Sequence, residues 1–238
     1  MSDRPIPFSA PMIRALLDGR KTQTRRIIKP QPLAEAVADG SFMRDANALI
    51  SPRPIRWSVG DHLWVRESLK AYNLDMGAML GLSEPLADVD MMRGDLCASY
   101  AADDEPCRND FEFDFSWVWK RSTLPSIHMP RGFSRLTLIV SDVRVQRLQD
   151  ISEEDVIAEG IDCAANDFGN GPAYCDYGSA HIEDTAEWFS SPIDSYRSLW
   201  TSLHGAISWA GNPWIAALTF TVNRVNIDAL PALEKGQA

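Results

Sequence analysis

A polar run that directly follows a short amphipathic segment most constrains how this chain can fold. Apolar residues recur on one helical face within residues 10–18, namely Met12, Ile13, Leu16 and Leu17. Ser9 stands at the N-cap position, and Gly19 is the residue type expected where such a helix stops in the left-handed conformation. The run from Arg20 to Arg26 therefore follows directly after the helix, and it contains a lysine, two threonines and three arginines in close succession.

Two interpretations of this polar run stay open from the residues alone. It is a candidate site, because it brings many side-chain donors together. Alternatively, basic residues just after a helix compensate its dipole, and threonine suits the strand expected over residues 22–28. In a regular strand Lys21 and Thr24 would point to opposite faces, so their cooperation requires a turn or bulge between Gly19 and Thr22.

Hydrophobic patterning predicts the remaining elements. Further strands are expected at residues 6–8, 62–69, 96–100 and 117–119, and over 135–148 with an interruption at Ser141-Asp142. A loop is expected over residues 30–56, where several prolines occur. A last helix is expected to pack Tyr196, Leu199, Trp200 and Leu203 inward, because they recur at helical spacing.

The second helix has the clearest boundaries. Ser152 and Asp155 approximate a capping box, and Gly160 marks the helix end. This places Glu159 on the last turn, where the helix dipole disfavours a charged carboxylate.

Composition places the chain among globular proteins. Its 238 residues are 45% apolar and include eight tryptophans, which can fill a core. No apolar run approaches the roughly 20 residues of a membrane span, and the N-terminus has no hydrophobic signal region, so we expect no membrane partner and a cytoplasmic location. Cys97, Cys107, Cys163 and Cys175 lack the close spacing of structural zinc sites, so we expect reduced thiols and no metal.

Charge is distributed unevenly along the chain. The net charge is −10, yet residues 1–70 hold 12 Lys or Arg against 7 Asp or Glu, a balance of +5, and the remainder holds 11 against 26. This acidity argues against broad binding to long nucleic acid, which depends on many phosphate contacts. A local basic pocket for a nucleoside, a nucleotide or one flipped base is compatible with it.

Several motifs occur in the order typical of one known family. They are Gly19-Arg20-Lys21-Thr22-x-Thr24-x-Arg26, Val59 to Val65, Ser134 to Val140, Val143 to Val145, Leu148 to Asp155, Glu159-Gly160-Ile161 and Asn212 to Phe220. Over about half of the chain they resemble the ASCH domain family, in the longer form encoded by bacteriophages and prophages. The resemblance implies an α+β fold, a PUA-like mixed β-barrel with short flanking helices. We expect one domain over residues 1–238, with irregular insertions at about 71–116 and 162–192.

The same resemblance implies a function. The ASCH proteins closest in motif include small amidohydrolases that remove the acetyl group from N4-acetylcytidine, and their site residues correspond here to Lys21, Thr24 and Glu159. Amide hydrolysis needs a nucleophile, a base and a proton for the leaving nitrogen. We expect Thr24 to attack, Lys21 to accept its proton and Glu159 to pass a proton to the cytosine amine. The chemistry requires no metal, and we expect no cofactor.

Six further residues are expected to bind substrate: Arg20, Arg25, Arg26, Glu67, Arg131 and Arg135. The first three flank Lys21 and, with burial, would lower its pKa. Glu67 resembles a member of an Arg-Glu pair in the phage-type ASCH proteins, although paired charges on a strand surface are commonplace. Arg131 and Arg135 could bind phosphate through planar, bidentate contacts or could balance the acidic excess.

Two alternatives from other functional classes stay open. The first is a noncatalytic RNA-binding module, since PUA-like barrels are common RNA readers, and it predicts a continuous basic surface. The second is a ribonuclease, in which Lys21 and the arginines would stabilise a phosphorane and Glu159 would act as the base. The partner is a small nucleoside or nucleotide in the main hypothesis and single-stranded RNA in the alternatives.

Overall fold

The computed structural model describes residues 2–29, 31, 55–73, 96–108, 115–164, 171–178 and 188–230. These residues combine strands in three sheets with four α-helices, which confirms the predicted α+β class. In chain order the elements are β1 (Asp3–Pro7), α1 (Ala10–Leu17), β2 (Gln23–Ile27), β3 (His62–Arg66), β4 (Leu69–Asn73), β5 (Leu96–Tyr100), β6 (Thr123–Leu124), β7 (Thr137–Arg147), α2 (Glu153–Ala158), β8 (Cys163–Ala164), β9 (Ala173–Cys175), β10 (Trp188–Phe189), α3 (Pro192–His204), α4 (Ala206–Ala210) and β11 (Trp214–Asn223).

The chain divides into two compact units that alternate along the sequence. Unit A comprises Asp18–Asp61 and Val140–Thr221, and unit B comprises Ser2–Leu17, His62–Ile139 and Val222–Ala238. The expectation of one domain over the whole chain stays a prediction.

In unit A, strand β2 pairs antiparallel with β11, so that Thr24 lies opposite Leu218 and Arg26 opposite Ala216. The other neighbour of β11 is β7, which gives the order β7-β11-β2. A second, antiparallel sheet has the order β10-β9-β8. Helix α2 packs against both β2 and α3, and this packing positions the residues described below.

In unit B, β1 pairs parallel with β3, and β3 pairs antiparallel with the start of β7. A separate antiparallel sheet has the order β5-β4-β6. One face of this sheet is apolar, because Leu69 and Ala71 on β4 lie opposite Tyr100 and Ala98 on β5, and all four side chains are buried. The cluster that they form also contains Trp117, Leu124 and Met129.

None of the sheets formed by the described residues closes into a barrel. The sheet of unit A ends at β2 and that of unit B at β1, and each of these strands has one strand neighbour among the described residues. A barrel requires two neighbours for every strand. The predicted closure is therefore absent from the part of the chain that is described.

The two segments expected to be irregular insertions contain regular structure. The first, at 71–116, includes the end of β4 and also β5, which confirms the strand expected at residues 96–100. The second, at 162–192, includes β8, β9 and β10. Residues 74–95, 109–114, 165–170 and 179–187 of these insertions lie outside the described residues, as does most of the loop expected at 30–56.

Several predicted boundaries are wrong for identifiable reasons. Strand β7 runs without the expected interruption at Ser141-Asp142, since both residues keep strand conformation and expose their side chains. Residues 117–119 do not form a strand, since Trp117 and Trp119 instead pack edge to face, 4.8 Å apart, in the apolar cluster. The strand expected over residues 62–69 ends at Arg66.

The helices are confirmed more closely. Helix α1 spans Ala10–Leu17 and buries the predicted apolar face apart from its last residue. Helix α3 buries Tyr196, Leu199 and Trp200, but Leu203 is 56% exposed, because it lies on the final turn next to the end of the helix.

Candidate functional site

The polar run from Arg20 to Arg26 leaves regular structure before it enters β2. Gly19 adopts a φ of 75°, the left-handed conformation that glycine tolerates best, and β2 begins only at Gln23. The backbone N–H of Thr22 donates to the carbonyl oxygen of Ala158 at 2.8 Å, which holds the run against the end of α2. The turn lies at Asp18 and Gly19, and residues 20–22 that follow it are not part of β2, so strand alternation does not dictate the direction of Lys21.

Helix α2 presents Glu159 at the position that the sequence predicts. The side chain of Ser152 accepts from the backbone N–H of Asp155 at 3.2 Å, which caps the helix. Glu159 is the C-cap residue, and Gly160 follows with a φ of 83°. The carboxyl group of Glu159 thus stands at the end of the helix that contacts β2.

Lys21 and Glu159 form a buried pair. Lys21 Nζ donates to Glu159 Oε2 at 2.6 Å and to the backbone oxygen of the same residue at 2.7 Å. Lys21 is 1% exposed and Glu159 is 4% exposed. The amine therefore satisfies both the carboxyl group and an orphan carbonyl at the helix C-terminus.

Arg25 occupies the second oxygen of the same carboxyl group. Its Nη1 donates to Glu159 Oε1 at 3.1 Å and its Nη2 donates to Asp155 Oδ2 at 2.7 Å, and its side chain is fully buried. Asp155 also accepts from Gln23 at 3.1 Å and from Arg144 at 2.9 Å. Asp155 and Glu159 lie on one face of α2, and together they fix the guanidinium of Arg25.

Thr24 and Arg26 form the adjoining part of the site. Arg26 Nη1 donates to Thr24 Oγ1 at 2.8 Å, and Thr24 is 1% exposed. Because successive strand residues alternate, Thr24 and Arg26 share one face of β2, whereas Gln23 and Arg25 share the face that contacts α2. The hydrogen bond from Arg26 uses a lone pair of the Thr24 hydroxyl and leaves its proton to be donated elsewhere.

The electrostatic environment acts on Lys21 in the predicted direction. Burial, the largest influence, lowers the pKa of Lys21; the charge and hydrogen bond of Glu159 oppose this, and the charges of Arg26 and Arg25 add to it. Burial, together with the charge of Glu159, also holds the pKa of Tyr196 well above its ordinary value. The Tyr196 ring centroid lies 5.9 Å from the guanidinium carbon of Arg25.

Arg20, predicted to bind substrate, lies beside this cluster with other partners. It pairs with Asp18 at 3.0 Å and with Asp162 at 2.9 Å, and it donates to the backbone oxygen of Gly160 at 3.1 Å. The structure thus surrounds its charge with two carboxylates, and its side chain is 39% exposed.

The other three predicted substrate-binding residues belong to unit B. Glu67 is 1% exposed and pairs with Arg135 through two hydrogen bonds of 3.0 and 2.8 Å. Arg131 is half-exposed and pairs with Asp228 and Asp3, both at 2.7 Å.

Sequence reasoning missed three members of the cluster in unit A. The sequence predicts only a capping role for Asp155 and a core position for Tyr196, and it predicts no role for Gln23. A signal for Asp155 exists in the sequence, because it precedes Glu159 by one helical turn, which places two carboxylates on the same face.

Comparison of the chain with known protein families, with curated proteins and with solved structures finds no match. Among the residues that the structure describes, no helix is long and apolar enough to cross a membrane. In the same part of the chain, no three His, Cys, Asp or Glu side chains are grouped so that they could hold a metal ion.

Proposed function

We propose that this protein is an ASCH-type, nucleoside- or nucleotide-binding amidohydrolase that removes the acyl group from N4-acylated cytidine. The observation that carries the proposal is the buried contact of 2.6 Å between Lys21 Nζ and Glu159 Oε2, on the two motifs that resemble the family. The resemblance extends the proposal to a PUA-like arrangement of the sheets and to action in the cytoplasm of a bacterial host.

The energetics of the cluster support a functional role. A buried ion pair rarely stabilises a fold more than apolar side chains of the same volume, because desolvation of both charges offsets their attraction. Lys21, Arg25 and Glu159 are nevertheless all buried. Chemistry that needs these groups explains their presence better than stability does.

Two buried polar atoms strengthen this argument. Gln23 Oε1 and Arg25 Nε have no hydrogen-bond partner in the described part of the chain, although both atoms are buried. Leaving a buried polar atom unpaired costs about 1–3 kcal/mol. Both atoms lie on the face of β2 that contacts α2, and a polar group bound beside that face would pair them.

The proposed reaction proceeds from the form of the buried pair in which one proton has moved from Lys21 Nζ to Glu159 Oε2 along their hydrogen bond of 2.6 Å, so that Lys21 is a neutral amine and Glu159 a neutral acid. Thr24 Oγ attacks the acyl carbon and its proton passes to Lys21. The bond between the acyl carbon and N4 breaks, and its electron pair stays on N4, which takes the proton of Glu159. These steps release cytidine and leave an acyl ester on Thr24.

Water completes the cycle. It attacks the ester carbon, gives a proton to the Glu159 carboxylate and releases the carboxylic acid, while the Lys21 ammonium returns a proton to Thr24 Oγ. Both partners then regain their starting states. Arg26, which donates to Thr24 Oγ1 at 2.8 Å, stabilises the oxygen as negative charge develops on it.

The test is hydrolysis of N4-acetylcytidine and its 5′-monophosphate by the purified chain, followed by chromatography of the released cytidine. Lys21→Met, Thr24→Val and Glu159→Gln should each lower turnover by about 100-fold or more, the usual contribution of a positioned acid, base or nucleophile. Short RNAs incubated in parallel report strand cleavage, which would instead support the ribonuclease hypothesis.

Two matched controls separate the chemistry from general damage to the fold. Lys70→Met removes another buried lysine, which pairs with Asp104 in unit B. Thr137→Val removes another buried threonine hydroxyl, which donates to the carbonyl oxygen of Val225 at 2.9 Å. Both controls should retain turnover. Wild-type protein that binds N4-acetylcytidine but leaves it intact would defeat the enzymatic proposal.

A further inference from the structure

Unit B contains a cavity of about 420 Å³ that the proposed amidohydrolase reaction does not use. Three arginines, two aromatic rings and the turn around Gly132 contribute to its lining. We propose that this cavity is a second ligand site, which takes a planar aromatic molecule bearing one anionic group and of about the size of a nucleoside monophosphate. The volume lies within the range of small-molecule sites in proteins.

The planar guanidinium of Arg135, which lines this cavity, is held in a fixed orientation. Two carboxylates hold the edges of its guanidinium: Glu67 accepts from Nε and Nη2 at 3.0 and 2.8 Å, and Asp103 accepts from Nη1 and Nη2 at 2.8 and 3.0 Å. The Tyr100 ring covers one face, with its centroid 3.8 Å from the guanidinium carbon. Arg135 and Tyr100 both line the cavity, and an aromatic ligand that extends this stack would use the remaining guanidinium face, since guanidinium faces stack on aromatic rings.

The aromatic wall of the cavity is equally constrained. Phe115 stacks on Phe133, with ring centroids 4.0 Å apart and an angle of 29° between the planes. Trp119 packs edge to face against the same Phe133 ring, and the Tyr100 hydroxyl donates to the Phe133 carbonyl oxygen at 2.9 Å. A ring that binds against Phe115 or Arg135 would meet side chains already held in place, which favours affinity because little ordering is required.

Arginines in the lining also favour a ligand that carries an anionic group. Arg224 lines the cavity, and its hydrogen-bond acceptor, the Leu17 carbonyl oxygen, is uncharged and does not neutralise it. Arg108 lines the same space. Among the described residues of the lining, the acidic one is Asp228, which accepts twice from Arg131 Nε and once from its Nη2, so its charge is balanced. A phosphate or carboxylate on the ligand would complement the guanidinium of Arg224.

The turn around Gly132, which lines the cavity, is fixed by Asn226. Asn226 Nδ2 donates to the backbone oxygens of Arg131 and Ser134, at 3.0 and 2.7 Å, which fixes the loop on either side of Gly132. A Cβ atom built on Gly132 meets no other atom within 4 Å. Because Gly132 lines the cavity and a Cβ there is free of clashes, Gly132→Leu adds apolar bulk to the lining and is the blocking variant.

The experiment titrates the full-length chain with adenosine 5′-monophosphate, 1-naphthoate, adenosine and inorganic phosphate, each by isothermal titration calorimetry. The monophosphate and the naphthoate should bind more tightly than adenosine or phosphate, and their affinity should fall as salt rises. Gly132→Leu and Arg224→Gln should each weaken binding of both anionic probes by about tenfold or more. The control Arg4→Gln, an exposed arginine of unit B outside the cavity, should bind as the wild type does.

Each other outcome overturns a defined part of the proposal. Unchanged binding in both variants, or no binding of any probe, means that the cavity is not a ligand site. Adenosine that binds as tightly as its monophosphate refutes the anionic requirement, and phosphate that binds as tightly as the monophosphate refutes the aromatic one. Gly132→Leu and Arg224→Gln should hydrolyse N4-acetylcytidine at the wild-type rate. Measuring this rate distinguishes a failure of the cavity proposal from a failure of the amidohydrolase proposal.

Discussion

Removal of the Glu159 carboxyl group should destabilise the protein more than removal of its lysine partner. Glu159→Leu leaves Lys21 Nζ with a backbone oxygen and Arg25 with Asp155. Lys21 can escape by losing its proton, and the cost of neutralising a group of ordinary pKa 10.5 at about pH 7.5 is about 4 kcal/mol, at 1.36 kcal/mol for each pH unit. This value agrees with the roughly 3–5 kcal/mol expected when a buried pair is broken.

Lys21→Met should cost less, about 1–3 kcal/mol, because Glu159 keeps its hydrogen bond from Arg25 at 3.1 Å. The double variant Lys21→Met/Glu159→Leu removes both charges together, so its loss should stay below the sum of the single losses by about 2 kcal/mol or more.

Urea denaturation followed by tryptophan fluorescence measures all three variants, provided that the m values stay equal. Glu153→Leu, on the exposed face of α2, serves as the control and should change the free energy of unfolding by less than about 1 kcal/mol. Single losses that add within about 0.5 kcal/mol would refute the argument, since they would mean that the two buried groups do not act as a pair.

Three further predictions concern pH, thiol reactivity and capping. Burial lowers the pKa of Lys21 below its unfolded value of 10.5, so at pH values just below 10.5 the folded state binds fewer protons than the unfolded state. The stability of the wild type relative to Lys21→Met should therefore rise from about pH 7 to about pH 9.5 in urea titrations. A difference in stability that does not change with pH would contradict the lowered pKa. N-ethylmaleimide should label exposed Cys163 before buried Cys97 and Cys107, since burial raises the pKa of Cys107 to about 12, and peptide mass spectrometry would expose any early label on Cys107. Ser152→Ala should cost about 0.5–2 kcal/mol in thermal unfolding through loss of the α2 cap, and no loss would mean that the cap is not formed.

The sequence predicts the parts of the fold whose signals are local. The helix over residues 10–18 and the cap at Ser152 each depend on neighbouring residues, and the structure has both. The pairing of β4 with β5 has no local signal, because it joins Leu69 to Tyr100, which are far apart in the sequence. Non-local pairing leaves no periodic signal in either segment.

The candidate site divides in the same way. The resemblance indicated Lys21 and Glu159, and the structure brings them into contact. The partners of Arg135 could not be predicted, because Glu67 and Asp103 come from separate segments that only the folded sheet of unit B brings together. Charge counts along the sequence give no indication of which opposite charges meet.

The end of α2 depends on a segment that is synthesised much earlier. Lys21 and Glu159 are separated by 138 positions in the chain. At a translation rate of about 5–20 residues per second, the ribosome needs about 7 to 28 s to deliver Glu159 after Lys21. During that interval Lys21 and Arg25 are without Glu159 and Asp155, the carboxylate partners that α2 provides. The run from Arg20 to Arg26 consists largely of lysine, arginine, glutamine and threonine. While it is exposed in the nascent chain, it therefore offers chaperones and neighbouring chains little apolar surface to bind.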